Sequence, residues 1–375
     1  MSPCGNNSED VWMPSKARRT KLVALPIHVI QIPDGVILKR GATEVMITGA
    51  NATEAIRMVL DATGRDGASV GEIRRLFRRT SGVQVDTILS NLDSRRLLVP
   101  KNGQASSVNG QESPLDIFFW QFGGTLTGVL EQLNKVRLVI IGVNYISRQL
   151  AASLISCAHK NFTVMDHPRY RNLYMFNKAG KLKQGQWPAS VDSPQDWKDS
   201  QQSDLGDCLI VTSDFGGRQA LCEWNTLCLD QKVHFMPVVL KNMVGYVGPM
   251  VIPGETACYE CLVSRQRSHS ANPEAEFLTD NVAFEGQAVV GFHPSMAAIL
   301  GDIAAFELTR FYGSVLPEKK AGRLLEVNLL AASMTGRTVL KVPRCAACSP
   351  LHKTSQPNLS KAPLSEWVKE WVKVQ

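Results

Sequence analysis

The run V-R-L-V-I-I-G-V-N-Y-I-S, residues 136–147, decides the fold class. Residues 136–141 are apolar except for Arg137, the pattern of a strand buried on both faces of a parallel sheet. Gly142 then offers a tight turn, and Ile146, Leu150 and Leu154 follow at helical spacing. Downstream, a second strand is expected at 162–165, ending at Asp166, with further buried strands at 208–211 and 235–240. A long helix over 294–311 carries small residues on one side. Strands alternating with helices imply a doubly wound α/β domain. The polar stretch 167–203 reads as a long loop or insertion, and 115–133 as a helix with Gly123-Gly124 as its weak point.

Upstream the pattern is different. Two apolar runs, 28–32 and 36–39, flank Pro33-Asp34-Gly35, a turn in which Pro presets φ and Gly accepts positive φ. A third strand is expected at 44–48. Three helices follow: one carrying Ile56, Val59 and Leu60; one opened by the capping box Ser69/Glu72 and carrying Ile73, Leu76 and Phe77; one opened by Ser81/Gln84 and carrying Ile88, Leu89 and Leu92. A short strand at 97–99 closes the unit. The expected organisation is a disordered arm at 1–21, a β-then-α unit at 22–102, a Gly/Ser/Asn/Gln-rich linker at 103–114, the α/β domain at 115–350 and a tail at 351–375.

Composition narrows the classes. In 375 residues, 44% are hydrophobic and 20% charged, which excludes a wholly disordered chain, a collagen and a coiled-coil rod. No apolar run approaches the roughly 18–20 residues of a membrane span. The first twenty residues lack the apolar core of a secretory signal. The net charge of +7 is partly gathered at Arg74, Arg75, Arg78 and Arg79, a basic cluster that reads as a solvated helix face or as an anionic partner's footprint. Nine cysteines are odd in number for a disulfide framework, and four form two C-x-x-C pairs. That usage points to a reduced, cytoplasmic setting and to metal binding.

The strongest chemical signal is Cys258/Cys261 with Cys345/Cys348. Two C-x-x-C knuckles supply the four soft thiolates that a tetrahedral zinc requires. The second pair begins 84 positions after the first ends, so the site would join distant segments, and a closed four-thiolate shell is structural. The Gly142 turn carries a weaker signal. A dinucleotide loop reads G-x-G-x-x-G, whereas here only Gly142 keeps its glycine; Asn144 is a residue type able to take positive φ, and Tyr145 crowds the phosphate position. Asp166 stands where the acidic ribose partner belongs. Asp214, just past strand 208–211, reads either as a Mg²⁺ ligand or as the cap of a helix beginning near Arg218. His234 and His293 read as structural histidines, and Cys157, Cys208, Cys222 and Cys228 as core residues.

The segment V-G-P-M-V-I-P-G-E-T-A-C-Y-E-C, residues 247–261, resembles the G-P-x-x-x-P-G-x-T-x-C-x-x-C segment of E1-like adenylating enzymes of the ThiF/MoeB type. The resemblance is strongest to their branch in peptide natural-product clusters and covers roughly 115–350. The unit at 22–102 resembles the winged-helix-like recognition element that binds the leader of ribosomally made precursor peptides. Together the halves are similar to the E1-like partner of YcaO cyclodehydratases in azoline-forming bacteriocin and thiopeptide clusters. That resemblance implies a Rossmann-like domain with structural Zn²⁺, cytoplasmic location, a homodimer, a YcaO-type partner that uses ATP to close Cys, Ser or Thr into azolines, and capture of a precursor leader by this chain. The chain departs from an active adenylating member at three places: the loop is G-V-N-Y-I-S, Asp166-His167-Pro168 lacks a second Asp, and no Arg-Gln pair stands near Asn172. It is therefore expected to be a non-catalytic partner that does not use ATP, with Gly142, Asn144, Asp166 and Asp214 as a vestigial nucleotide site.

The leader is expected to add as a strand to 44–48, whose alternate residues share a face: Val45 and Ile47 on one side, Glu44, Met46 and Thr48 on the other. The groove would be completed by Val85, Ile88 or Leu92 on the third helix, with the arginines at 74–79, Arg95 and Arg96 steering an acidic leader. Two alternatives compete. A peptide-adenylating enzyme of the microcin C type combines similar halves but needs the missing loop residues. A zinc-bearing winged-helix DNA binder would read DNA through 83–93, which contains Asp86 and Asp93 and no Lys or Arg, so neither nucleic acid nor membrane is an expected partner.

Overall fold

The computed structural model describes residues 20–64, 66–77, 82–101, 112–183, 187–192, 205–285, 290–317 and 321–351. Nearly all of the expected arm, most of the linker, Arg78, Arg79, Ser81 and the tail beyond Leu351 lie outside the described residues. The chain divides into two compact units, 1–129 and 130–375.

The first unit holds strands β1 (Lys21–Ala24), β2 (His28–Ile32), β3 (Gly35–Arg40) and β4 (Thr43–Thr48), helix α1 (Ala52–Ala62), strand β5 (Ala68–Ser69), helices α2 (Val70–Leu76) and α3 (Gly82–Ser94), strand β6 (Leu98–Pro100) and helix α4 (Pro114–Gln121). Two small antiparallel sheets form, in the orders β2-β3-β4 and β5-β1-β6. The Pro33-Asp34-Gly35 turn is a tight one, with Ile32 paired to Gly35. Gly35 is required there, since a Cβ would stand 2.1 Å from the Ile47 carbonyl oxygen. The Ser69/Glu72 capping box closes as the spacing predicts, the Glu72 N–H donating to Ser69 Oγ (3.3 Å) and the Ser69 N–H to Glu72 Oε2 (2.7 Å). The core joins both sheets to the helices through Val36, Leu38, Ile56, Val59, Ile73, Leu89, Leu92 and Leu97. Strand β1 is an addition to the sequence reading. Trp120 of α4 packs on the same core, and its indole N–H donates to the Arg96 carbonyl (2.9 Å).

Helix α5 (Leu126–Leu133) spans the division between units. Gly123, at φ +86°, ends α4, so the segment expected as one helix is two. The second unit is built on strands β7 (Leu138–Ile141), β8 (Phe162–Met165), β9 (Val191–Asp192), β10 (Cys208–Ser213), β11 (His234–Lys241), β12 (Val244–Val247), β13 (Arg323–Asn328) and β14 (Ser333–Thr338). They form one sheet in the order β14-β13-β12-β11-β10-β7-β8-β9. Pairing is parallel from β9 to β11 and antiparallel from β11 to β14. The antiparallel half was not foreseen.

Helices cover both faces. On one side Leu138 and Ile140 pack against Ile146, Leu150 and Leu154 of α6 (Tyr145–Ser156) and Ala297, Leu300 and Ala304 of α10 (Pro294–Tyr312). On the other, Val139 and Ile141 face Leu221 and Trp224 of α7 (Arg218–Gln231) and Leu262 of α8 (Tyr259–His269). Helix α9 (Pro273–Glu285) follows α8. Strand β7 thus buries both faces, which explains its unbroken apolar run. Gly301 lets α10 lie close on α6, since a Cβ there would meet the Ile146 carbonyl oxygen and the Leu150 nitrogen at 2.7 Å. From β7 the chain crosses to β8 on one side and later to β10 on the other. Their carboxyl ends therefore meet at a topological switch point, the usual ligand crevice of such sheets.

Candidate functional site

The four cysteines converge. Cys258 caps α8 and Cys261 lies in its first turn, its N–H donating to the Cys258 carbonyl (3.1 Å). Cys345 and Cys348 lie in a turn whose Cys345 N–H donates to the Val342 carbonyl (3.0 Å). The four sulfurs lie within 4.8 Å of one another, with Sγ–Sγ separations of 3.7 Å (258–261), 3.6 Å (258–345) and 3.5 Å (261–348). A tetrahedron with metal–sulfur bonds of ~2.3 Å has edges of about 3.8 Å, so the sulfurs stand nearly as a four-thiolate metal shell requires. Two features favour thiolate at Cys261. The Cys258 thiol hydrogen-bonds to it and the Val342 N–H points at it (3.4 Å), which push its pKa down while that of Cys258 rises. This cage can hold one metal ion and offers no open position for chemistry.

The Gly142 loop is filled by the protein's own side chains. Asn144 is the N-cap of α6, with φ −151° and ψ 179°, so the positive φ open to an asparagine is not adopted. The extended backbone lets its side chain turn inward. Asn144 Oδ1 accepts from the Ser147 N–H (3.0 Å), and its Nδ2 donates to Thr212 Oγ1 (2.9 Å) and to the carbonyls of Thr212 (3.0 Å) and Tyr170 (3.2 Å). Gly142, at φ +109°, is pressed so close that a Cβ would stand 2.9 Å from Asn144 Nδ2. Asp214 is buried below the same helix end. Its Oδ2 accepts from the Tyr145 N–H (3.0 Å) and from Asn172 Nδ2 (3.0 Å), while Oδ1 has no partner among the described residues. Burial lifts its carboxyl to about 6, against the pull of the Asn172 amide and the N–H groups of Tyr145 and Ile146. Asp214 therefore caps α6, not the helix at Arg218. Gly217 stands at the start of that helix, and the Arg218 N–H donates to Asp280 Oδ2 (2.8 Å).

Helix N-termini bind phosphate through free N–H groups and a positive dipole end. Here Asn144 takes the Ser147 donor and the Asp214 carboxylate takes the Tyr145 donor and supplies the negative charge. Asp166, at the end of β8, is likewise engaged: Arg171 grips it with both forks of its guanidinium (2.7 and 2.5 Å). The structure thus brings Gly142, Asn144 and Asp214 together, with Asp166 held in an ion pair beside them. Sequence reasoning missed Asn172 and Thr212 as members of this cluster. Asn172 was legible only as the place where an Arg-Gln pair is missing, and nothing local announces Thr212, which reaches the loop across the β7–β10 pair.

In the first unit, β4 pairs with β3 alone, so its outer edge has no strand partner among the described residues. Val45 and Ile47 pack on the core, while Glu44, Met46 and Thr48 face outward, Met46 being 66% exposed. On α3, Val85 and Leu92 are buried in that core and Ile88 is half-buried and packs against it; Arg95, in the turn just after the helix, is exposed. Of the basic cluster, Arg74 forms a two-pronged pair with Asp86 (2.8 Å each).

No protein-family model matches this sequence, and no curated protein matches it. Solved structures do. The chain is similar to the Escherichia coli MccB structure with ATP (14% identity, TM-score 0.62, 88% of this chain and 99% of that one). It is similar to the microcin C7 biosynthetic enzyme MccB in complex with N-formylated MccA (14%, 0.63, 88% and 100%). It is also similar to the heterocyclase TruD (20%, 0.56, 88% of this chain and 43% of that one). The chain therefore has the fold of MccB over nearly the whole of that protein, and of part of the TruD heterocyclase.

Proposed function

We propose that the protein is a leader-binding, non-adenylating partner of a YcaO-type cyclodehydratase, acting on a ribosomally made precursor peptide in bacteriocin or thiopeptide biosynthesis. The observation that carries this reading is the α6 N-terminus, whose donors are taken by Asn144 and Asp214 where a nucleotide phosphate would have to bind. A fold built for adenylation is kept while its phosphate site is filled, which suits a scaffold. MccB has been solved with MccA, and TruD is a heterocyclase; both likenesses support this reading. In this reading β4, from Glu44 to Thr48, receives the leader, the first unit is a winged-helix-like recognition element, and the second unit is a Rossmann-like E1 domain. Cys258, Cys261, Cys345 and Cys348 hold a structural Zn²⁺, and the protein acts in the cytoplasm as a homodimer by analogy with E1-like proteins. The test combines the full-length chain with short peptides encoded beside its gene and the neighbouring YcaO protein. Loss of one water per ring, seen by mass spectrometry only when both proteins and ATP are present, is the expected result.

The second reading is a peptide-adenylating enzyme like MccB. What favours it is the extent of the likeness, 99% of that chain at TM-score 0.62 against 43% of TruD at 0.56. The two readings separate in a pyrophosphate-exchange assay with the cognate peptide. Background exchange by the isolated protein supports the partner reading, and robust exchange establishes the adenylating one.

A further inference from the structure

Helix α9 carries apolar residues on two opposite sides. Its inner side is fixed to the rest of the unit. Asp280 Oδ2 accepts from the Arg218 N–H (2.8 Å), Asp280 Oδ1 pairs with Lys241 Nζ (3.1 Å), and the Phe284 ring meets the Tyr170 ring edge-on (centroids 5.4 Å). One turn apart on the outer side stand Leu278 and Val282, 63% and 65% exposed, with the exposed Ala275 beside them. A surface helix ordinarily turns its polar residues outward, and one that is apolar all round is a buried helix. The surrounding charge has one sign: residues 273–285 include Glu274, Glu276, Asp280 and Glu285 and no basic residue. Asp280 is paired with Lys241, and Glu276 accepts from Ser270 Oγ (2.7 Å). Glu274, one turn before Leu278, has no hydrogen-bond or ion-pair partner among the described residues.

An occupant of matching character follows Leu351 in the sequence, outside the described residues. Residues 352–375 carry four lysines against two glutamates, the opposite sign to α9. Within them Leu364, Trp367, Val368, Trp371 and Val372 recur at i, i+3, i+4, i+7 and i+8, the spacing of one helix face, just after Pro363. Glu366, Lys369, Glu370 and Lys373 fall on the other face of that period. Two indoles and three aliphatic side chains in one stripe need an apolar surface to cover them. The twelve residues 352–363 reach at most about 40 Å, roughly twice the ~20 Å length of a thirteen-residue helix such as α9. A segment on the same chain meets its target at an effective concentration on the order of millimolar, which a separate partner must exceed. The second unit's other strongly exposed apolar residues suit a basic segment less well. Leu330 and Met334 share the β13–β14 hairpin with Arg337, and Leu340 precedes Lys341.

We propose that residues 364–374 of this same chain cover the outer face of α9, with Trp367 and Trp371 seated on Leu278 and Val282. The inference rests neither on leader capture nor on the fate of the nucleotide site. The test uses the full-length protein with the photo-crosslinker p-benzoylphenylalanine in place of Val282. After illumination, mass spectrometry of the digest should join α9 to a peptide from 364–374. The product should keep the mass of one chain under denaturing conditions, and Trp367→Ala with Trp371→Ala should abolish it. Hydrogen exchange supplies the second measurement. The amides of 364–374 should exchange at least tenfold more slowly in the parent protein than in a synthetic peptide of that sequence. Leu278→Asp with Val282→Asp, at unchanged metal content and melting temperature, should return them to the peptide's rate. Should that variant fail to fold, Glu274→Lys, at an exposed position, carries the comparison and should speed their exchange several-fold. A crosslink of two-chain mass gives the face to a second copy and overturns the proposal. So do a crosslink to any other segment or protein, exchange at the free peptide's rate in the parent protein, and protection that the α9 variants leave unchanged.

Discussion

The outer edge of β4 and the N-terminus of α6 present the same chemistry, backbone donors at the end of a regular element, and treat it in opposite ways. On β4 no other described strand takes up the outer row. At α6 the donors are consumed within the fold, by Asn144 from the helix itself and by Asp214 from the end of β10. An unpaired strand edge accepts any extended chain and asks little of its sequence. A helix N-terminus selects anions, and one already holding a carboxylate repels a second. In the proposed scheme this contrast locates recognition in the first unit and removes phosphate chemistry from the second.

The largest expected effect lies outside both regions and tests whether they are separable. Cys261→Ser should reduce bound metal, measured by inductively coupled plasma mass spectrometry, from about one equivalent toward none. It should also destabilise the second unit by roughly 3 kcal/mol or more, because loss of a structural metal is loss of folding free energy. Leader binding by the first unit should persist at temperatures where the second unit still holds.

Proline scanning of β4 tests the open edge. Successive N–H groups along a strand point to opposite sides, so Met46→Pro and Ile47→Pro remove donors facing in different directions. One of the two should lower the melting temperature by breaking the pairing with β3. The other should leave folding intact and weaken leader binding at least tenfold in fluorescence anisotropy. Equal affinity for the leader in both variants would place the leader elsewhere.

Asp214 tests the closed end. Its carboxyl sits near 6 in the folded protein, above its ordinary value of 3.8, so the folded state binds more protons between those values. Stability should therefore decrease as pH rises from about 4 to about 6 and level off above. Asp214→Asn keeps one acceptor for the Tyr145 N–H and removes the buried charge. It should raise stability at pH 7.5 by on the order of 2 kcal/mol and abolish the acid-side gain, measured by urea denaturation across pH. The smallest effect is expected at the exposed Lys39–Glu44 pair beside the open edge, where Glu44→Gln should change stability by less than about 0.5 kcal/mol.

What the sequence revealed follows the range of the interactions involved. The two C-x-x-C pairs, the apolar run at 136–141 and the Ser69/Glu72 box are local patterns, and each is present in the structure where its spacing placed it. Strand β1 escaped notice because it is four residues long and finds its partners, β5 and β6, far along the chain. The antiparallel strands β12 to β14 were hidden differently: every residue of β14 is exposed, so it carries no apolar alternation to detect. The candidate loop showed its missing glycines but not its filling. Asn144 signalled a turn residue, yet its conformation is set by Ser147, Tyr170 and Thr212, and Asp214 chooses α6 rather than the nearer helix because the switch point brings the ends of β7 and β10 together.

The absent side chain at Gly301 has a bearing on whether this second unit can change state. With α10 and α6 in contact at the level of their backbones, α6 cannot tilt toward α10, and its first turn is fixed in depth against the sheet. Room for a nucleotide would then have to come from the plug and not from the wall: Asn144 and Asp214 would have to swing out or be replaced. The site is closed in the manner of a keyed lock with its own key left inside, so that two substitutions, rather than any hinge motion, are the shortest route to an empty loop.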